Sequence, residues 1–324
     1  MISLYIEVIY LAIGIPSLIF YVILIVSLLR HSNKEVFGRP FYRIFAVICA
    51  VDCLSYVTNT ISTRFALCPT FNFLYDGFNS AVAARILHSV VFFCSYFLTF
   101  GQSLITVNRF TAVTFPLKHH KFWRKHYIHC IAMALFLAIA FSGYLVISEA
   151  HFNKHDIEGT DLYFFTFFMD DITFSIMGQP LMLTSIIAIS ISTLGVLFQL
   201  TLNSITLVVL IRKRKTINQT ESDKQLLKTE VNLFIISLAM FLISFTMAAY
   251  NFTVTVLLFM ESELIVGFID NYLWVSDLNN LSPPYLLCFV SASARRAVFE
   301  MFGLKKPKEN ATVQLFSRTM SSNH

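Results

Sequence analysis

The chain has 324 residues, 56% of them apolar and only 13% charged, with a mean hydropathy of +0.68. Soluble domains carry about one quarter charged residues, so this composition leaves too little polar surface for a water-solvated globule and makes lipid the solvent. The net charge of +5 does not argue for nucleic acid, because the basic residues flank apolar runs, where anionic headgroups account for them.

Seven apolar stretches follow in order: 4–29, 41–61, 86–107, 127–147, 181–211, 231–260 and 264–290. At 1.5 Å rise per residue each is long enough to cross a hydrocarbon core about 30 Å thick. The expected fold is an all-α membrane protein, a seven-transmembrane helix bundle. Lys and Arg number four between Arg30 and Arg43, five between Arg109 and Lys125, six between Arg212 and Lys228 and six from Arg295 onward; Arg64, Arg85 and Lys154 fall elsewhere. Short loops rich in Lys and Arg stay in the cytoplasm, which predicts an outside N-terminus and a cytoplasmic C-terminus. The first run shows no small-residue cleavage site and reads as a signal-anchor that is also the first helix. With three residues ahead of it, a small ligand reaching the bundle is expected rather than a protein captured by an outer domain.

In the first helix, Gly14, Pro16 and Ser17 mark a kink or a close-packing site, and Glu7 is expected at the headgroups. In the second, Asp52 lies eleven residues past Phe41, roughly 16 Å into the bilayer. A carboxylate there costs about 2.5 to 3.5 kcal/mol and marks either a functional site or a protonated acid bonded to a neighbouring helix. The seventh span carries Asp277, Asn279 and Asn280, and with Asp52 these are expected to line one polar core holding water or a sodium ion.

The gap from Ser62 to Arg85 contains the turn signals Cys68-Pro69 and Asp76-Gly77. Of the six cysteines only Cys68 falls in an outside gap, so no outer disulfide is evident and buried thiols are expected. The gap from Ser148 to Pro180 is acidic and aromatic and is expected to fold back over the bundle mouth. Its Asp170 and Asp171 are candidate ligand contacts, weighed against a solvated loop. His151 and His155 have helical metal-ligand spacing without a third ligand. Arg212 to Lys215, with Lys224 and Lys228, reads as polar extensions of helices five and six, facing either a cytosolic partner or lipid headgroups. Residues 292–306 form a basic amphipathic segment suited to the inner leaflet. One domain, 1–306, is followed by a disordered cytoplasmic tail, 307–324.

At the inner end of the third span stands Asn108-Arg109-Phe110, followed by a stretch with Phe115-Pro116-Leu117. This resembles the cytoplasmic Asp-Arg-Tyr motif of seven-helix G protein-coupled receptors. The run Asn108 to Trp123, Phe41-Tyr42-Arg43 opening the second span, Asp52, and Ser282-Pro283-Pro284-Tyr285 in the seventh resemble the nematode serpentine receptors of class gamma (Srg) over nearly the whole chain. The resemblance implies a rhodopsin-like bundle and a chemosensory receptor in the plasma membrane of a sensory neuron, at cilium or dendrite. Its partners are a small-molecule cue and a heterotrimeric G protein, with no cofactor. It also implies that Asn108, Arg109, Phe110, Pro283, Pro284 and Tyr285 couple activation to the G protein. Asn108 replaces the acidic member of the triplet, so the usual intrahelical ion pair cannot form and other contacts must control the resting state. The alternative function is a transporter or channel using Asp52 and Asp277. An intramembrane enzyme is disfavoured because no catalytic motif is present.

Overall fold

A computed structural model describes residues 4–30, 40–76, 81–156, 163–170, 173–176, 179–216, 221–260 and 265–302. Seven long helices form a bundle: α1 (Leu4–Leu29), α2 (Pro40–Asn59), α3 (Ala81–Thr114), α4 (Pro116–Ser142), α5 (Leu183–Thr216), α6 (Glu221–Phe259) and α7 (Ile265–Val290). A short α8 (Ala292–Met301) follows. Among the described residues the first six are long and apolar enough to cross a membrane, and α7, with 26 residues, closes the bundle against α6, α2 and α1. Helices are the expected solution in hydrocarbon, where each backbone N–H and C=O must be paired within its own segment.

Several helices outrun their apolar cores. The expected 86–107 is 81–114, the expected 231–260 begins at Glu221, and the expected 127–147 begins at Pro116 and ends at Ser142, before a 3₁₀ turn over Gly143–Val146. Hydropathy marks only the hydrocarbon-embedded part, whereas the i→i−4 ladder continues until a cap or proline stops it. Pro116 takes the first helical position, where its missing N–H costs nothing. Arg109 therefore stands more than a turn before the end of α3, not at its exit.

α3 is the central element and packs against α2, α4, α5 and α6. On α1, Tyr10, Gly14, Ser17, Tyr21, Leu24 and Leu28 are buried at alternating spacings of four and three, while Ile9, Ile13, Ile19, Val22 and Val26 are exposed. That is a heptad seam turned inside the bundle, with β-branched Ile and Val left for lipid and Gly14 and Ser17 admitting close approach within the seam. Gly14 is the tightest point: a Cβ there would lie 1.7 Å from the Tyr56 hydroxyl on α2. Gly14→Ala is expected to cost about 1–3 kcal/mol by displacing that ring. A lower melting midpoint for the solubilised chain checks it; an unchanged midpoint would mean that Tyr56 yields freely.

α2 ends in a π-helical turn, Thr60–Phe65, which brings Arg64 into the bundle with only 2% of its surface exposed. Beyond it Tyr75 donates to the Ile61 carbonyl. The 148–180 gap contains two antiparallel hairpins, β1 (Glu149–Asp156) with β2 (Tyr163–Asp170) and β3 (Thr173–Ile176) with β4 (Gln179–Met182). The first hairpin packs against α3, and the Phe152 ring lies 5.1 Å from that of Tyr75. The fold-back is thus made by paired strands, which satisfy backbone groups that an irregular segment would leave open. His151 and His155 both lie on β1, where four residues span about 13 Å, so helical ligand spacing does not apply to them.

At the opposite end, which carries the basic clusters, α5 and α6 run on as polar extensions. α8 is capped by the Ser291 hydroxyl, which accepts from the Ala294 N–H at 3.3 Å. It buries Ala294, Ala297 and Val298 and packs on α1, leaving Phe299 and Phe302 exposed, as suits a helix lying on a leaflet. The tail from 307 lies outside the described residues.

Candidate functional site

At the basic end Arg109 is 4% exposed and held from three sides. Its Nη2 donates to Asn108 Oδ1 at 2.6 Å, its Nη1 pairs with Glu230 Oε2 on α6 at 3.4 Å, and its guanidinium lies 4.6 Å from the centre of the Phe41 ring on α2. Asn108 thus keeps the local contact as a neutral acceptor, while the ionic contact moves to another helix. Glu230 was legible as the acidic residue directly before the sixth apolar run, at the basic end. Phe110, half-buried, meets Phe115 edge-on at 6.3 Å.

The rest of the Asn108–Trp123 run has a mechanical explanation. One residue, Phe115, separates α3 from α4, and Thr111 fastens the corner: its hydroxyl accepts from Trp123 Nε1 at 2.8 Å and bonds His119 Nδ1 at 3.0 Å. Trp123 is 1% exposed. Trp123→Ala is expected to destabilise the fold by about 3–5 kcal/mol, and Trp123→Phe by clearly less because most of the buried ring survives. Thermal unfolding of the two variants side by side reads this ordering.

The expected polar core divides in two. Asp52, 1% exposed, receives the Tyr21 hydroxyl at 3.3 Å, and the same hydroxyl contacts the Asn280 carbonyl. Ser55 donates to Asn280 Oδ1 at 3.4 Å, as does Asn279 Nδ2. Asp52, Asn279 and Asn280 therefore share one network through Tyr21 and Ser55. Asp277 is not in this network: it forms a salt bridge with Arg64, whose Nη2 also donates to the Leu273 carbonyl at 3.4 Å and Nη1 to the Tyr56 hydroxyl at 3.3 Å. The Tyr10 ring covers the same guanidinium at 4.1 Å. A buried arginine requires a counter-charge, and Asp277 supplies it. The signal in the sequence was a lone arginine beyond the second span, unexplained by the loop-charge bias. The separation also removes the premise of one ion path through Asp52 and Asp277.

Pro283 and Pro284 are buried within α7, whereas Tyr285 is 46% exposed, stacks on Phe20 at 5.0 Å and bonds Ser17 at 2.9 Å. Tyr285 thus meets α1, while Arg109 meets α2 and α6. A cleft of about 830 Å³ runs beside Tyr285 between α1 and α7, with mostly apolar walls suited to lipid chains. Asp170 ends β2, and Asp171 lies outside the described residues. All six cysteines are free thiols. No group of three His, Cys, Asp or Glu side chains converges on a metal position among the described residues.

Between α2, α3, α5, α6 and α7 lies a second cavity of about 70 Å³. Ser55, Asn279 and Asn280 form its α2–α7 wall, Gln102 and Ser244 its α3–α6 wall, and Gln199 stands on α5. Ser244 donates to Gln102 Oε1, and Gln199 Nε2 donates to Ser103 Oγ at 3.3 Å. The two glutamines lie inside predicted spans and were not singled out as site residues. Polar amides at depth in otherwise apolar runs were their signal.

A sequence model described as "Serpentine type 7TM GPCR chemoreceptor Srv" matches residues 10–304. The chain is 22% identical to Serpentine receptor class gamma-20 of Caenorhabditis elegans over 138 residues, 41% of this chain and 39% of the relative. It is 25% identical to Serpentine receptor class V-1 of the same organism over 122 residues, 38% of this chain and 39% of the relative. The matched stretch spans about two fifths of the length of either relative. Both classes are nematode serpentine receptors, which agrees with the resemblance drawn from the third-helix motif. With a bundle of seven long helices and a family match over nearly its full length, the chain belongs to the Srv family of serpentine-type seven-helix GPCR chemoreceptors.

Proposed function

We propose that this chemoreceptor binds a small external molecule in the cavity between α2, α3, α5, α6 and α7 and activates a heterotrimeric G protein through its basic end. The observation that carries the reading is the Arg109–Glu230 pair, which ties α3 to α6 at the end where the basic clusters gather. Parting the two helices there would release the arginine, together with Lys213, which now donates to the Val113 carbonyl at 2.6 Å, as a cationic surface for the partner. The basic end faces the cytosol in this reading, by the bias of Lys and Arg toward cytoplasmic loops. A cue acts only through a difference in affinity for the closed and open bundles, so the cavity has to change shape between them. By family likeness the setting is the plasma membrane of a sensory neuron, at cilium or dendrite.

The test is G protein activation in a heterologous cell, wild type beside Arg109→Ala at matched surface levels, challenged with pooled small molecules. An Arg109-dependent response, evoked or basal, is the expected result. A response equal in both, or an ionic current in the same cells, would count against coupling through this end.

A further inference from the structure

We infer that the cavity between α2, α3, α5, α6 and α7 is built for a compact, uncharged molecule that donates a hydrogen bond, of the short-alcohol or primary-amide class; this rests on the receptor reading above for its biological role. Of the seventeen side chains lining it, twelve are Ser, Thr, Asn or Gln, and none is ionisable. Asp52 and Asp277 do not line it, and each is engaged elsewhere, with Tyr21 and with Arg64. An ion entering would shed its water with no opposite charge to meet, which excludes amines and carboxylates as the preferred class. A purely apolar guest is equally mismatched, because it would leave the buried amides facing carbon.

One group gives the ligand its polarity. Gln199 is 1% exposed, and while its Nε2 is occupied by Ser103, its Oε1 is buried without a hydrogen-bond partner among the described residues. An acceptor in that condition is satisfied by an O–H or N–H from the occupant of the space beside it. Size sets the rest. A dry cavity of about 150 Å³ takes benzene, so about 70 Å³ suits a molecule of roughly three to four non-hydrogen atoms. So few atoms limit affinity to about tens of micromolar or weaker.

The test uses the full chain in lipid nanodiscs and reads the thermal midpoint against acetamide and propan-1-ol, beside their charged counterparts of equal size, acetate and propylammonium, at neutral pH. Saturable stabilisation by the neutral pair but not the charged pair is expected. Gln199→Met should weaken the neutral pair about tenfold, the equivalent of one hydrogen bond of the stronger kind. Gln199→Glu should admit propylammonium, which the wild type refuses, because the carboxylate gives the ammonium its opposite charge. If Gln199→Met fails to fold, the Glu variant with its gained propylammonium binding carries the test, and the contrast between neutral and charged probes in the wild type stands without either. Equal effects of charged and neutral probes, no saturable shift with either neutral probe in a cooperatively melting wild type, or selectivity unchanged in a folded Gln199 variant would overturn the inference. Binding is read here without a G protein. Activation by large or charged cues alone would therefore sink the ligand class and leave the receptor reading intact, while neutral-probe binding without activation would do the reverse.

Discussion

Glu230→Gln is expected to raise ligand-independent G protein activation about tenfold over wild type at equal surface expression, whereas Arg109→Ala abolishes both basal and evoked activation. The opposite signs follow from the geometry. The pair at 3.4 Å joins α3 to α6; in the proposed mechanism it is lost when the two helices part, so it stabilises the closed bundle and not the open one. Removing the charge at Glu230 shifts the balance toward the open form by the free energy of the pair, about 1–2 kcal/mol for a partly buried contact, or roughly five- to thirty-fold in population. The fold survives because Arg109 keeps Asn108 at 2.6 Å and the Phe41 ring at 4.6 Å. In the same proposed mechanism Arg109→Ala removes the group that both locks the closed form and meets the partner, and loss of the partner contact is expected to dominate. Concentration–response curves for the two variants and wild type, normalised to surface label, decide it. Basal activity in Glu230→Gln equal to wild type would mean that the pair persists in both states and controls nothing.

Arg64→Met is expected to cost about 3–5 kcal/mol and to leave little protein at the cell surface, because Asp277 is then a carboxylate inside the bundle without its counter-charge. Asp277→Leu should be as damaging, since Arg64 is 2% exposed and cannot regain water without unwinding the π-helical turn that delivers it. The informative variant is the double one. Arg64→Met with Asp277→Leu removes both charges and retains apolar volume, and such replacements of a buried pair are often neutral or stabilising. Recovery of surface expression and of the melting midpoint in the double variant, relative to either single one, measures the coupling between the two sites. If the double variant is no better than Arg64→Met alone, then Arg64 matters for its contacts with Tyr10, Tyr56 and the Leu273 carbonyl rather than for its charge.

The two arginines show where sequence reading stops. Arg109 was evident from its neighbours, Asn108 and Phe110, and from the run that follows, because such a motif is local. Its counter-ion, 121 positions away, was not. Asp52, Asn279 and Asn280 share one hydrogen-bond network, whereas Asp277, their neighbour along the chain, pairs with Arg64 instead. Three residues on a helix lie only about 60° apart around it but about 4.5 Å apart along it, so Asp277 stands level with Arg64 while Asn280, nearly a turn further on, meets Tyr21 and Ser55. Tyr285, matched by position to a switch motif, lies against Ser17 and Phe20 of α1.

Seven apolar runs long enough to cross a bilayer and the gathering of Lys and Arg into alternate gaps were determined by the sequence alone. They depend on composition and spacing within single segments, which lipid and backbone hydrogen bonding read directly. The rotation of each helix was decided only in three dimensions, and with it the partners of Arg64, Arg109 and Asp277, the seat of Gly14 against Tyr56, and the uncharged cavity around Gln199. The reason is physical: in a membrane both faces of a helix are apolar, so the hydrophobic period that betrays the buried side of a soluble helix falls silent. The inward side is then chosen by close packing and by the few polar groups that must find one another.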